Sequence, residues 1–161
     1  MSGTRPHFSS PSRRIRRAAR ILLSAPDGRI LLFRFTPEGT APFWIMPGGE
    51  CDPDEDFPQA ARRELLEETG ICADPFPLRI VRKADYEYFG EPVKAVEHFF
   101  HLCTQATRID TSGHTALEQR VMQEHRWFTP AELQDWPETV YPPDILELIR
   151  FAAAIGRNSS A

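Results

Sequence analysis

Long apolar runs are missing from this chain: no stretch reaches the roughly 20 residues that a helix needs to cross a bilayer. Cysteine is scarce, with only Cys51, Cys72 and Cys103, and no CxxC pair. An odd count without paired spacing argues against a structural zinc and points to a reducing compartment, the cytoplasm. There is no internal repeat. Acid is absent from the first twenty residues, which hold six arginines; as the whole chain carries −4, the rest carries −10. So acidic a body argues against general nucleic-acid binding and against a basic face that would meet substrate phosphates directly. At 161 residues the chain is long enough for one ordinary core and too short for two.

The Ser-, Arg- and Pro-rich start, residues 1–14, reads as a flexible basic arm. Its composition would also suit an organellar transit peptide, but it lacks the apolar core of a secretory signal. Residues 15–157 then form a single domain, and 158–161 a disordered tail. Past the arm, strands are expected at 18–24 and 30–35, joined by the turn Pro26-Asp27-Gly28. A loop follows at 36–42. Pro75 and Pro77 mark a break, with further strands at 78–82, 86–89 and 96–103. Residues 104–115 are polar and read as a loop, 121–128 as the last strand, and 130–133 as a short helix with Thr129 as its N-cap. Ile145, Leu146, Leu148, Ile149 and Ala152 give 144–155 an amphipathic helix for one face of the sheet.

The densest information lies in residues 49–71, GECDPDEDFPQAARRELLEETGI. Gly49, Glu55, Arg63-Glu64, Leu65, Glu67-Glu68, Thr69, Gly70 and Ile71 stand at spacings that chance would produce at about 10⁻⁹ or less per starting point. Residues 57–69 suit a helix, with Asp52, Asp54 and Asp56 crowding its positive end and Gly70 stopping it. Glu64, Glu67 and Glu68 are i, i+3, i+4 neighbours on one sector. Three like charges there repel unless something positive lies among them, and oxygen-only ligands on a rigid element suit Mg²⁺ or Mn²⁺ rather than zinc. Arg63, one turn from Glu67, can orient the carboxylates. Upstream, Trp44-Ile45-Met46-Pro47-Gly48-Gly49 lets backbone approach a metal or phosphate closely.

This run resembles the Nudix box of the Nudix hydrolase superfamily, and every fixed position of the signature is matched. The Trp44–Gly49 lead-in and the late His125-Arg126-Trp127-Phe128 with Glu132-Leu133 also resemble that family, so the similarity covers roughly residues 15–135. Asp54 and Asp52 depart from the usual glycine and glutamate. The resemblance implies an α/β fold, an α/β/α sandwich with a mixed curved β-sheet between helices. It implies divalent-metal-dependent hydrolysis of a nucleoside diphosphate linked to a further group. Glu64, Glu67 and Glu68 carry over as metal ligands, with Arg63 and Glu55 in support. Relatives often take a catalytic base from a glutamate near the loop before the last strand; Glu118 and Glu124 both stand there. Arg34, Gly48, Gly49 and Tyr88 are the candidate substrate contacts. A tyrosine near Tyr88 marks some relatives that cleave diadenosine polyphosphates. His98 and His101, three apart on a strand, face opposite ways and read as ordinary strand residues. The partner implied is a small nucleotide-like molecule, with pairing of two copies as a family habit. Two other readings are a Nudix-like module that binds a nucleotide without cleaving it, and an isomerase of isopentenyl diphosphate type. The intact box opposes the first, and the second lacks its own signature.

Overall fold

The computed structural model describes residues 12–158. Of the expected arm only residues 12–14 fall in that range, and of the expected tail only Asn158; the rest lies outside the described residues. The elements in chain order are β1 (Arg14–Ser24), β2 (Ile30–Phe35), β3 (Phe43–Ile45), β4 (Gly48–Glu50), α1 (Phe57–Thr69), β5 (Phe76–Tyr88), β6 (Glu91–Cys103), α2 (Ala116–Val121), β7 (Glu124–Phe128), α3 (Pro130–Gln134), β8 (Thr139–Tyr141) and α4 (Ile145–Asn158). No helix among the described residues is long and apolar enough to cross a membrane.

Both central strands read as continuous apolar runs, Ile21-Leu22-Leu23 in β1 and Ile30-Leu31-Leu32-Phe33 in β2, because each is covered on two faces. Ala19, Ile21, Leu23, Leu31, Phe33 and Phe100 pack on one side against Ala60, Ala61 and Leu65 of α1 and Val121 of α2. Leu22, Ile30, Leu32, Phe99 and Phe128 pack on the other against Leu133 of α3 and Ile145, Leu148 and Ala152 of α4. Helices therefore sandwich the sheet, as the resemblance implied. β1 pairs in parallel with β6 along its whole length, from Arg14↔Val93 to Ser24↔Cys103. On its other edge β1 meets β4 (Ala18↔Glu50, Arg20↔Gly48) and touches β2 only at Ser24↔Ile30. β2 in turn pairs with β3 and β7. The mixed sheet thus opens between β1 and β2, and α1 packs over β1 and β4.

Several elements differ from the sequence expectation. The strands expected at 78–82 and 86–89 are one strand, β5, paired with a β6 that begins at Glu91 rather than Val96. Pro77 did not break it because β5 is an edge strand, where a missing N–H costs no ladder bond. The irregularity falls instead between Pro77 and Val81, with Arg79 at φ 58°. β3, β4 and β8 are three-residue strands too short to show periodicity. The strand expected at 121–128 begins only at Glu124, as β7; Val121 instead ends a helix, α2, formed with residues 116–120, which no expected element covers. The signal for α2 was legible: Thr115 and Glu118 make a reciprocal capping box.

Candidate active site

α1 is set firmly at both ends. Asp56 accepts from Gln59 N (2.8 Å), Gln59 Oε1 accepts from Asp56 N (2.9 Å), and Gly70 closes the helix in the left-handed region at φ 75°. The helix lies against β4, whose two glycines are there for space. At Gly48, φ is 135° and a Cβ would fall 2.0 Å from Ala19 O. At Gly49 a Cβ would fall 2.5 Å from Glu64 Oε1, so that carboxylate rests directly on the backbone.

Glu64 and Glu68 point inward and are only 6% and 3% exposed. Burial pushes the Glu68 carboxyl well above the ordinary glutamate range, and Glu64 beside it adds to the rise; a hydrogen bond from Gly48 N to Oε2 (2.8 Å) opposes it. Burial raises Glu64 as well, against the nearby Arg63 guanidinium. Glu118 reaches the same place from α2. Its Oε2 accepts from Thr115 N (2.8 Å), and oxygens of Glu64, Glu68 and Glu118 all lie within 4.8 Å of one another. Three carboxylates this close, two of them buried and with Arg63 the ion-pair partner of Glu64 alone among them, form an all-oxygen donor set that fits a hard divalent cation.

Arg63 is the hub on the outer side. Its Nε and Nη2 grip Glu55 bidentately (2.8 Å each), its Nη1 reaches Glu64 (2.8 Å) and Glu67 (3.1 Å), and Nη2 also donates to Glu50 O (2.9 Å). The grip pulls the Glu55 carboxyl below its ordinary value. Glu67 lies outside the close trio, with its side chain 38% exposed at the rim.

The other sequence candidates stand elsewhere. Arg34 and Glu124 are cross-strand partners on β2 and β7 (Nη1 to Oε2 3.6 Å), and Arg34 is bound more tightly to Glu138 (2.9 Å). Strand alternation puts them on the face opposite His125, whose ring meets Phe33 on the α1 side. Tyr88 ends β5 with the Arg16 guanidinium 4.2 Å from its ring centre. His98 stacks on Phe57 with centroids 3.5 Å apart, and His101 meets the Ser24 hydroxyl at 3.0 Å, both structural contacts. Two features carry no signal in the sequence. One is an aromatic chain from Phe89 at the β5–β6 turn through Phe35 and Phe43 to Tyr141. The other is His114, buried against the end of α1.

Comparison with known proteins agrees with this geometry. The family model described as NUDIX domain matches residues 14–149. An RNA pyrophosphohydrolase of Erythrobacter litoralis is 29% identical over 143 residues, covering 80% of this chain and 83% of the relative. Phosphatase NudJ of Escherichia coli is 45% identical over 49 residues, a local match to 30% of this chain and 31% of that protein. Among solved structures, the MutT protein of Methanosarcina mazei Go1 superposes with a TM-score of 0.64 at 20% identity, over 90% of this chain and 98% of the other. The match over most of the length, on the fold and signature already described, settles the kind of reaction as hydrolysis of nucleotide-linked diphosphates: the chain belongs to the NUDIX domain family.

Proposed function

We propose that Glu64, Glu68 and Glu118 hold Mg²⁺ or Mn²⁺ against the diphosphate of a small nucleotide-like substrate, and that Glu67 accepts the proton of the attacking water. The observation that carries this is the convergence of three carboxylates from two helices within 4.8 Å. When bound, the cation neutralises phosphate charge and steadies the leaving group. Glu67, open to solvent at the rim and aimed by Arg63, is the box carboxylate left free for proton transfer. Gly48 and Gly49, bare of side chains, let Ala19 O and the Glu64 carboxylate lie directly against β4, which seats the carboxylates beside the backbone.

The substrate's base has a surface to lie on. Thr36 N donates to Val121 O (2.7 Å), which brings the end of β2 beside the C-terminus of α2 and so sets Phe35 near the Glu118 helix. Phe89, Phe35, Phe43 and Tyr141 offer ring faces for stacking. A long RNA is less well served. The β1 arginines are engaged within the protein: Arg14 with Glu50 and Glu91, Arg16 with Tyr86 and Glu50, Arg17 with Glu55 O, and Arg20 with Glu97 and Gly48 O. Three free cysteines accord with a reducing cytoplasm.

Turnover of a panel of diadenosine polyphosphates, ADP-ribose, nucleotide sugars, nucleoside triphosphates and a 5′-triphosphorylated oligonucleotide, with Mg²⁺ or Mn²⁺ and with excess chelator, tests the reading. Activity that survives chelation removes the cation role, and preference for the oligonucleotide removes the small substrate. Glu118→Gln should weaken both Mn²⁺ binding and kcat. Glu67→Gln should cut kcat by about 10²–10⁴ with Mn²⁺ binding retained.

A further inference from the structure

The last turn of α1 leaves carbonyls without partners inside the helix, as helix ends do. Here one segment, residues 110–114, meets them. Asp110 N donates to Thr69 O (3.0 Å), and His114 Nε2 lies 3.0 Å from Glu68 O. A carbonyl can only accept, so that ring nitrogen carries the hydrogen. The imidazole is 6% exposed and sits edge-on to Phe33, with centroids 5.5 Å apart. Gly113 backs onto the same turn so closely that a Cβ would fall 2.6 Å from Glu67 O. The segment also holds its own shape: His114 N donates to Thr111 O (3.1 Å) and Ser112 N to Asp110 Oδ1 (2.9 Å).

From His114 the chain runs directly into α2. Gln119 Nε2 donates to His114 O (3.1 Å), Thr115 caps the helix, and Thr115 N holds the Glu118 carboxylate at 2.8 Å. A buried histidine on a helix carbonyl is by itself ordinary core satisfaction. This one lies between two residues whose carboxylates face each other. Its ring bonds the backbone of Glu68, and four residues later the same rigid stretch presents Glu118 to Glu64 and Glu68.

We propose that His114 is a positioning residue that sets the separation between Glu118 and the Glu64–Glu68 pair, and through it cation affinity and turnover. This rests on Glu118 being a third cation ligand. Groups that orient ligands from behind typically change metal affinity or activity by about 10–100-fold when removed.

The test uses the full chain. His114→Phe keeps a ring against Phe33 and removes the donor. His114→Gln returns an amide N–H to roughly the place of Nε2. Gly113→Ala lifts the segment by adding a Cβ where none fits. Mn²⁺ affinity is read by calorimetry on metal-free protein, alongside kcat and KM. His114→Phe should weaken Mn²⁺ binding and lower kcat by about tenfold or more, with KM nearly unchanged; His114→Gln should recover most of both, and Gly113→Ala should match the Phe variant. In a Glu118→Gln background, His114→Phe should add less than about twofold, because no ligand remains to be misplaced. Full additivity there, or unaltered Mn²⁺ affinity in His114→Phe, overturns the proposal while leaving the Glu118 reading intact. A silent Glu118→Gln overturns both. If His114→Phe does not fold, Gly113→Ala alone and combined with Glu118→Gln gives the same decision.

Discussion

The Glu68 carboxylate accepts a hydrogen bond from Gly48 N and has a second buried carboxylate as its neighbour. In the metal-free protein that arrangement works against folding, because a charge taken out of water needs compensation that one N–H does not supply. Glutamine at this position would keep an acceptor for Gly48 N and gain an N–H to offer Glu64. Glu68→Gln should therefore raise the metal-free melting temperature by about 3–6 °C, which corresponds to about 1–2 kcal/mol for a chain of this size, while abolishing most turnover. Scanning calorimetry in chelator decides it; a lower melting temperature would mean that the carboxylate is better solvated than its burial implies. The spacing within the box makes Glu64, Glu67 and Glu68 legible as a trio from the residues alone. It does not separate Glu67 from the other two, because helical phase places all three on one sector. What separates them is depth: Glu64 lies over Gly49 and Glu68 under Gly48 N, whereas the Glu67 carboxylate meets Arg63 at the rim.

Among elements, the contact between β5 and α4 has a pH signature. Arg82 grips Asp144, just before α4, through both carboxylate oxygens, and this holds the Asp144 carboxyl below its ordinary value. A folded-state pKa below the unfolded one contributes stability above the unfolded value, near 3.8, and loses it as pH falls through the lowered one. Asp144→Asn should thus be less stable than the wild chain at pH 7. The gap should close as pH drops below about 3.8. Both side chains are about a third exposed, so the gap should stay under about 1 kcal/mol. Urea midpoints of the two proteins at pH 7 and near pH 3 measure it, and a gap that persists at the lower pH would assign the effect to packing. Arg82 also shows where element reading from sequence runs out. Its strand is legible only to Arg82, since Lys83-Ala84-Asp85 has little strand preference, yet in-register pairing with Ala95 and Lys94 carries β5 on to Tyr88. Long, strongly patterned pieces such as β2, α1 and α4 are readable from periodicity, whereas β3 and β4 form on the edges of the longer β2 and β1, and β8 in turn on β3.

At the scale of the whole molecule, the β5–β6 hairpin matters for where its tip arrives. Phe89 at the turn meets Phe35 of β2 with centroids 6.4 Å apart, so the hairpin folds back onto strands from the other part of the sheet. Residues 54 positions apart in sequence thereby share one surface, which no local pattern could announce. Phe89 is 52% exposed, so its side chain is accessible to a substrate base as well as to Phe35. Stacking of a base on an aromatic ring is worth about 1–3 kcal/mol, so Phe89→Ala should raise KM for nucleotide substrates by about fivefold or more. The melting temperature should move little, since a half-exposed side chain has little buried area to lose. Hydrolysis of inorganic tripolyphosphate provides the control, because it carries the anhydride linkage without a base. Equal losses on both substrates would show that Phe89 supports the site's shape, whereas a loss confined to nucleotides would place the base against the hairpin tip.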